Sequence, residues 1–397
     1  MFDNLRKKII EVGIIIVTLL CVSIYGQINE KIHDINTIKI DSLRVISSAN
    51  EYLMIEPVPL TNFSCERSLG TKNDFYSEGD YWWPDSTNPN GPYIRKDGMT
   101  NPENFIAHRK VMRDMSIQVA ALSAAYKITH NKKYAEHAVK HLRTWFVNKE
   151  TRMNPNMNYA QAIKGICAGR GVGLIDGIHL VEPAQCLSIL EQTNGINSDD
   201  AEIIKSWFAE FLYWMNTHEY GIDERERKNN HGSCWVLQAA QYAKLTNNIE
   251  LVQYCINRFK NILLPNQMAL DGSFPMELER TKPYGYSLFN IDIMAAICQI
   301  LSTHEDNLWE YKLPDGQGMQ RGMEFIYPFI KDKSKWPFQK DVMYWDQWPV
   351  RHPSLLFTGI AYNNQNYLEL WEELPAEPKS EEGLRNFPIR QPVLWIN

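Results

Sequence analysis

Apolar residues return every three or four positions in segment after segment of this chain, and no sustained two-residue alternation competes with them. In "FIAHRKVMRDMSIQVAALSAAYKI", part of a helical region that starts near Asn104, Val111, Met115, Val119, Leu122 and Tyr126 fall on one helical face. "NKKYAEHAVKHLRTWF" follows with Tyr134, Ala138, Leu142 and Trp145 or Phe146 aligned in the same way. The period recurs around 160–180, 199–218, 231–246, 248–263, 285–302 and 318–331, with polar turns such as "THNKK", "NSDD" and "TNNIE" between. Many antiparallel helix pairs joined by short turns predict an all-α chain built as an α/α toroid or an irregular helical bundle. There is no strict internal repeat, which argues against a regular solenoid.

The first residues read as a secretory signal peptide over 1–26: Arg6, Lys7 and Lys8 precede an apolar stretch from Ile9 to about Tyr25, which ends near Gly26. That stretch is short for a membrane anchor, and no other segment reads as apolar enough to span a bilayer. Cys21 follows Leu20 rather than a small residue, a weak match to a lipid-attachment site. Residues 27–397 then form a single domain, and the reading places it outside the cytoplasm, in the periplasm. The other cysteines are scattered, without disulfide-scaffold or CxxC zinc spacing. A net charge of −6 argues against nucleic acid as a partner.

Two long loops interrupt the helices: "SEGDYWWPDSTNPNGPYIRKDGMTNPE" (77–103) and "DGSFPMELERTKPYGYSLFN" (271–290). Loops of this length in a compact domain are often functional. "KNNHG" places Asn229, Asn230 and His231 at the head of an apolar helical run. Helix capping accounts for one asparagine, not for two together with a histidine. Arg280 precedes Tyr286 by six residues; an arginine can bind a carboxylate through two hydrogen bonds, and a cation near a phenol favours phenolate. An ordinary surface arginine beside a packed tyrosine would give the same spacing. Gly169, Gly171 and Gly173 match no phosphate-binding loop and read as close packing. His137 and His141 lie one turn apart among Lys and Glu on what reads as an exposed face. Asp271, Glu277 and Glu279 could supply the carboxylate pair of a glycoside hydrolase. After Pro375 the tail reads as a surface segment.

Taken in order, "YWWPDSTNPNGPYIRKDG", "TRMNPNMNYAQAI", "GRGVGLID", "KNNHG" and "DGSFPMELERTKPYGYSLFN" resemble the alginate lyase superfamily of helical polysaccharide lyases, near family 38 and more distantly family 5. The resemblance covers nearly the whole chain after the leader. It implies an incomplete α/α toroid with a deep cleft and no obligatory metal or cofactor. It also implies an active site of Asn230, His231, Arg280 and Tyr286. In family 5 the arginine-to-tyrosine spacing is one residue longer, which lands on Ser287 here, so Tyr284 stands as a rival to Tyr286.

In such lyases the C-5 proton of a uronic acid is removed and the 4-O-linked sugar expelled, leaving an unsaturated end. The neighbouring carboxylate must be neutralised for that proton to leave, a role for Asn230, Arg280 and His231. A phenolate at Tyr286 can take the proton and return it to the leaving oxygen when both lie on one face, as in mannuronate. Guluronate needs a second base, a role open to His231. Further substrate contacts are expected from Trp82, Trp83, Arg95, Arg109, Arg170, Asn229 and Tyr284, and from Asn158 and Gln161 on a neighbouring helix. Glu224 is expected to contact substrate or to orient a cleft arginine or histidine. The expected partner is an anionic uronan, alginate first and glucuronan second, acted on by a monomer. A helical hydrolase and a non-catalytic glycan-binding protein are the rival readings.

Overall fold

The computed structural model describes residues 37–396, so the leader read at 1–26, with Cys21, lies outside the described residues. The longer helices, in chain order, are α1 (Thr37–Tyr52), α2 (Ala107–Thr129), α3 (Lys132–Leu142), α4 (Val181–Gln192), α5 (Ser198–Thr217), α6 (Glu219–Arg225), α7 (Asn230–Leu245), α8 (Ile249–Arg258), α9 (Pro283–Leu301), α10 (Met319–Lys331), α11 (Pro353–Ala361), α12 (Gln365–Glu373) and α13 (Glu381–Arg385). Helices α2, α4, α7, α9 and α11 pack on one another in succession and form an inner layer. Around them, α3 packs on α2, α5 on α4 and α7, α8 on α7, α10 on α9, and α12 on α11. This is an incomplete α/α toroid. The ring is bridged between α11 and α2 by α1 and by Pro392–Leu394, which packs on α1, α2 and α4. Asp41 of α1 ties the bridge to Arg351 at 2.8 Å.

Helices α7 and α9 are buried nearly all round, which places their few exceptions under functional suspicion. In α7 every residue but His231 and Lys244 is buried; in α9 every residue but Gly285, Tyr286 and Gln299. His231 and Tyr286 thus sit at the open N-terminal ends of two adjacent helices. By length and composition α9 does qualify as a membrane span, against the sequence expectation, yet 89% of its apolar window is enclosed by protein. It is one of the inner helices of the toroid.

Where sequence periodicity predicts a helix over 160–180, the chain instead makes strand β4 (Tyr159–Ala162) and a run of 3-10 turns over Gly171–Leu180. Strand β4 pairs in parallel with β1 (Tyr76–Glu78); β2 (Trp82–Trp83) pairs antiparallel with β3 (Ile94–Arg95). The glycines explain the break. A Cβ at Gly169 would lie 2.0 Å from the Asn158 carbonyl oxygen, and one at Gly173 2.4 Å from that of Ala160. Backbone is pressed on backbone there, as close packing requires. Asn158 and Gln161 are therefore on a strand and its approach, not on a helix.

Two surface assignments also change. The tail after Pro375 returns to the core: Phe387, Ile389, Val393 and Leu394 are buried in it, as are the polar Glu382, Arg390 and Gln391. His141 is fully buried, its ring edge-on to that of His137 at 5.0 Å.

Candidate active site

A cleft of about 350 Å³ opens at the N-terminal ends of α7 and α9. Asn229, Asn230 and His231 line it from the start of α7, Arg280 and Tyr286 from the start of α9, and Arg385 from α13. Loop 77–103 and β4 supply Asp80, Tyr81, Trp82, Arg95 and Gln161, with Arg170 beside them.

The α7 wall is held from behind by two buried carboxylates. Glu277 accepts from the Asn230 backbone N–H at 2.9 Å and from its Nδ2 at 2.6 Å, so it caps the helix and fixes the amide together. Burial pushes the Glu277 carboxyl up, against the lowering pull of those bonds. Asn229 occupies the N-cap position without a side-chain cap bond, while Gln267 Nε2 donates to its carbonyl at 3.0 Å. His231 Nδ1 lies 2.7 Å from Oε1 of Glu224, which is completely buried. Donation from Nδ1 to that carboxylate leaves Nε2 of a neutral ring as an acceptor. Gly232 admits the close turn before the helix: a Cβ there would stand 2.1 Å from the Arg227 carbonyl oxygen.

The α9 wall carries cations. Tyr286 Oη is 2.7 Å from Tyr81 Oη and 3.5 Å from Arg280 Nη2, and the guanidinium lies 4.6 Å from the Tyr286 ring centre. Asp97 grips Arg280 through two bonds of 3.2 and 2.9 Å and also accepts from Arg95 at 2.6 Å. Burial works to raise the Asp97 carboxyl, but the bonds and charge of Arg280 and Arg95 outweigh it and hold it at about 2. Asp341 caps α9 by accepting the N–H groups of Tyr284 and Gly285, each at 2.9 Å. The phenol itself departs from the sequence expectation. Burial, followed by Tyr81, pushes Tyr286 well above its ordinary value of 10.0, and Lys282 and Arg280 offset only part of that. Its resting form is the neutral phenol.

The flanking wall is built on Gln161, whose φ of +50° turns it toward Arg170. Arg170 donates to the Gln161 carbonyl at 3.0 Å and to its Oε1 at 2.8 Å, and its guanidinium lies 5.9 Å from the Trp82 ring centre. Arg95 sits opposite Trp82 in the β2–β3 register. Five sequence candidates stand outside this lining. Trp83 Nε1 donates to the Met99 carbonyl, Asn158 Oδ1 accepts from Trp214, and buried Tyr284 donates to the Phe329 carbonyl. Arg109 is buried and paired with Asp80 at 2.6 Å, so it meets no sugar carboxylate. Glu224 stands behind His231. Of the proposed hydrolase carboxylates, Glu277 is held by Asn230 and Asp271 by Ser273. The acids that do line the cleft are tied to arginines, Asp80 to Arg109 and Arg385 and Asp223 to Arg227.

Sequence reasoning missed Tyr81, Asp97, Lys282 and Arg385. Tyr81 and Asp97 lay inside the aromatic loop already singled out, and Lys282 between Arg280 and Tyr286. Arg385 carried no signal, because its place depends on the tail folding back.

The Alginate_lyase family model (alginate lyase) matches residues 60–336. The chain is similar to an alginate lyase from Bacteroides ovatus of known crystal structure, with 30% identity, a TM-score of 0.79, and 94% of this chain and 96% of that one covered. It also shares the fold of alginate lyase A1-III from Sphingomonas species A1, at 13% identity and a TM-score of 0.56, over 89% of this chain and 94% of that one. A variant of A1-III complexed with a tetrasaccharide aligns at 13% identity with a TM-score of 0.57 and the same coverage. No curated protein matches the chain. A family model spanning most of the chain, with a relative at 30% identity along 94% of it, makes the protein a member of the alginate lyase family, and so a polysaccharide lyase.

Proposed function

We propose that the protein cleaves alginate by β-elimination in this cleft, with Asn230 and Arg280 neutralising the uronate carboxylate, joined by His231 when its ring is protonated, and Tyr286 handling protons. The observation that carries the reading is the convergence of those four side chains, from two adjacent helix starts, on one cleft lined by further arginines. Fixed donors aimed at developing charge are worth about 3–4 kcal/mol each in the transition state. Asn230 fits that role because Glu277 leaves its amide one orientation. Arg95 and Arg170 are placed for the carboxylates of flanking sugars, and Trp82 for stacking on a ring.

Two proton routes follow from the stereochemistry. For mannuronate, Tyr286 first releases its proton to solvent, then as phenolate takes the C-5 proton and returns it to the leaving O-4 on the same face. For guluronate, His231 Nε2 takes the C-5 proton from the opposite face and the Tyr286 phenol protonates O-4. The neutral resting phenol and the Nδ1 bond of His231 favour the second route in the free enzyme. A glucuronan lyase using the same residues is the alternative substrate reading, since only the carboxylate and its acidic neighbour are essential.

The basic residues Arg6, Lys7 and Lys8 ahead of an apolar run support export, and we place the enzyme in the periplasm as a monomer. Fractionation of cells and sizing of the purified protein test those points. The activity is tested by following the ultraviolet absorbance of unsaturated uronide on polymannuronate, polyguluronate and glucuronan. A rise on either alginate block supports the proposal and identifies the route; a rise on glucuronan alone transfers the chemistry to that polymer. Absence of a rise on all three, with polymer binding retained, rejects it.

A further inference from the structure

Lys282 is buried outside the lining of the cleft, and among the described residues it has one salt-bridge partner. It occupies the N-cap position of α9. From there its Nζ reaches Glu382 Oε1 at 2.9 Å and stands 5.1 Å from the ring centre of Tyr81, 5.3 Å from that of Tyr286 and 5.4 Å from that of Tyr344. One ammonium is therefore enclosed by three phenol rings and a single carboxylate. Two of those rings belong to the hydrogen-bonded pair in the cleft. Glu382 is buried too, and its other oxygen accepts from Arg385 at 3.2 Å. Arg385 in turn reaches Asp80, next to Tyr81 in the chain. The circuit closes around the two phenols, and half of it comes from α13, beyond the residues 60–336 that the family model matches.

We propose that Lys282 and Glu382 form a positioning pair that sets the proton affinity of the Tyr286 phenol, making the C-terminal segment part of the pH control of the lyase. The inference rests on the reading of Tyr286 as the proton-handling residue. A buried phenolate needs nearby positive charge, and the groups facing it are Arg280 from the preceding loop, Lys282 from the helix start and Tyr81 from the long loop. Asp97 spends much of the Arg280 charge, and Glu382 spends part of that of Lys282. Asp341 faces the same helix start through backbone N–H groups and is not among the residues that line the cleft. Burial opposes charge on both partners, but the Lys282 ammonium sits above its ordinary value beside Glu382, and Lys282 with Arg385 holds the Glu382 carboxyl below its ordinary value.

The two halves of the pair act on Tyr286 with opposite sign, and that separates positioning from mere structure. Lys282→Met removes a cation and raises the proton affinity of the phenol. Glu382→Gln leaves the cation unopposed and lowers it. The test is the pH–rate profile of each variant on the polymer block that wild type cleaves fastest, with Tyr286→Phe alongside and circular dichroism to confirm the fold. The limb that Tyr286 governs should move up by about one pH unit in Lys282→Met and down in Glu382→Gln, since an opposite charge at this distance commonly shifts a group by one unit or more. The double variant should return toward wild type, and Lys282→Arg should keep the wild-type limb. Limbs that stay put in both single variants, or move in the same direction, overturn the proposal while an inactive Tyr286→Phe leaves the Tyr286 reading standing. Substantial activity in Tyr286→Phe with the same profile overturns both. If Lys282→Met does not fold, Glu382→Gln decides alone: a downward shift supports the pair, and an unmoved limb rejects it.

Discussion

The starts of α7 and α9 are neighbours in the inner layer and both open into the cleft, but they are charged in opposite ways. At α7 an amide donor and an imidazole face the cleft and buried carboxylates stand behind them, Glu277 behind Asn230 and Glu224 behind His231. At α9 a neutral phenol faces the cleft and cations stand around it, half-buried Arg280 and buried Lys282. Both use the free N–H groups of a helix start, which favour negative charge nearby. The difference shows a division of labour. Carboxylates behind α7 fix the orientation of the Asn230 amide and the His231 ring, so that end can present a donor to the uronate and a base to C-5; cations around α9 meet the same uronate through Arg280 and make loss of a phenol proton less costly.

The largest test of this contrast is Tyr286→Phe, which removes the proton-handling group and leaves the cations in place. Its expected effect is a loss of roughly 10³-fold or more in kcat with little change in polymer binding, read by absorbance and calorimetry. Next comes Asn230→Ala, expected to cost about 10²–10³-fold in kcat by removing one fixed donor. Glu277→Gln sharpens the comparison. It keeps the shape but must present an amide to the Asn230 N–H groups, so a loss of about tenfold is expected, carried by kcat rather than KM. An unchanged rate would mean that Glu277 serves only to cap α7.

The smallest effect is on stability. Asp97 is held at about 2, below its ordinary 3.8, so its bonds to Arg280 and Arg95 stabilise the fold above about pH 3.8 and the contribution fades as pH falls through about 2. Asp97→Asn should therefore lower the melting temperature near pH 6 and lose most of that difference near pH 2. Asp97 is partly exposed, and solvent screening limits the effect to about 1 kcal/mol.

The helices were legible because their periods are long and regular: α5, α7, α9 and α10 lie within two residues of the ranges expected at 199–218, 231–246, 285–302 and 318–331. The segment 160–180 was not, because its apolar content follows a helical period while backbone contacts at Gly169 and Gly173 forbid the helix. Asn230, His231, Arg280 and Tyr286 were legible as neighbours in short motifs. What braces them was not. Glu277 lies 47 residues from Asn230 and Glu382 lies 100 from Lys282, and no local pattern ties such pairs. The state of Tyr286 was misread for a related reason: Arg280 is visible in the sequence, whereas burial, the larger influence, appears only when the toroid closes.

The most direct test of the division between the two helix starts is the structure of the Tyr286→Phe variant with an alginate tetrasaccharide bound. The account predicts one uronate carboxylate within about 3 Å of Asn230 Nδ2 and Arg280, with C-5 facing His231 Nε2. It also predicts the O-4 of that sugar beside position 286. A carboxylate seated on Arg95 or Arg170 instead, with C-5 turned away from both His231 and position 286, would contradict it.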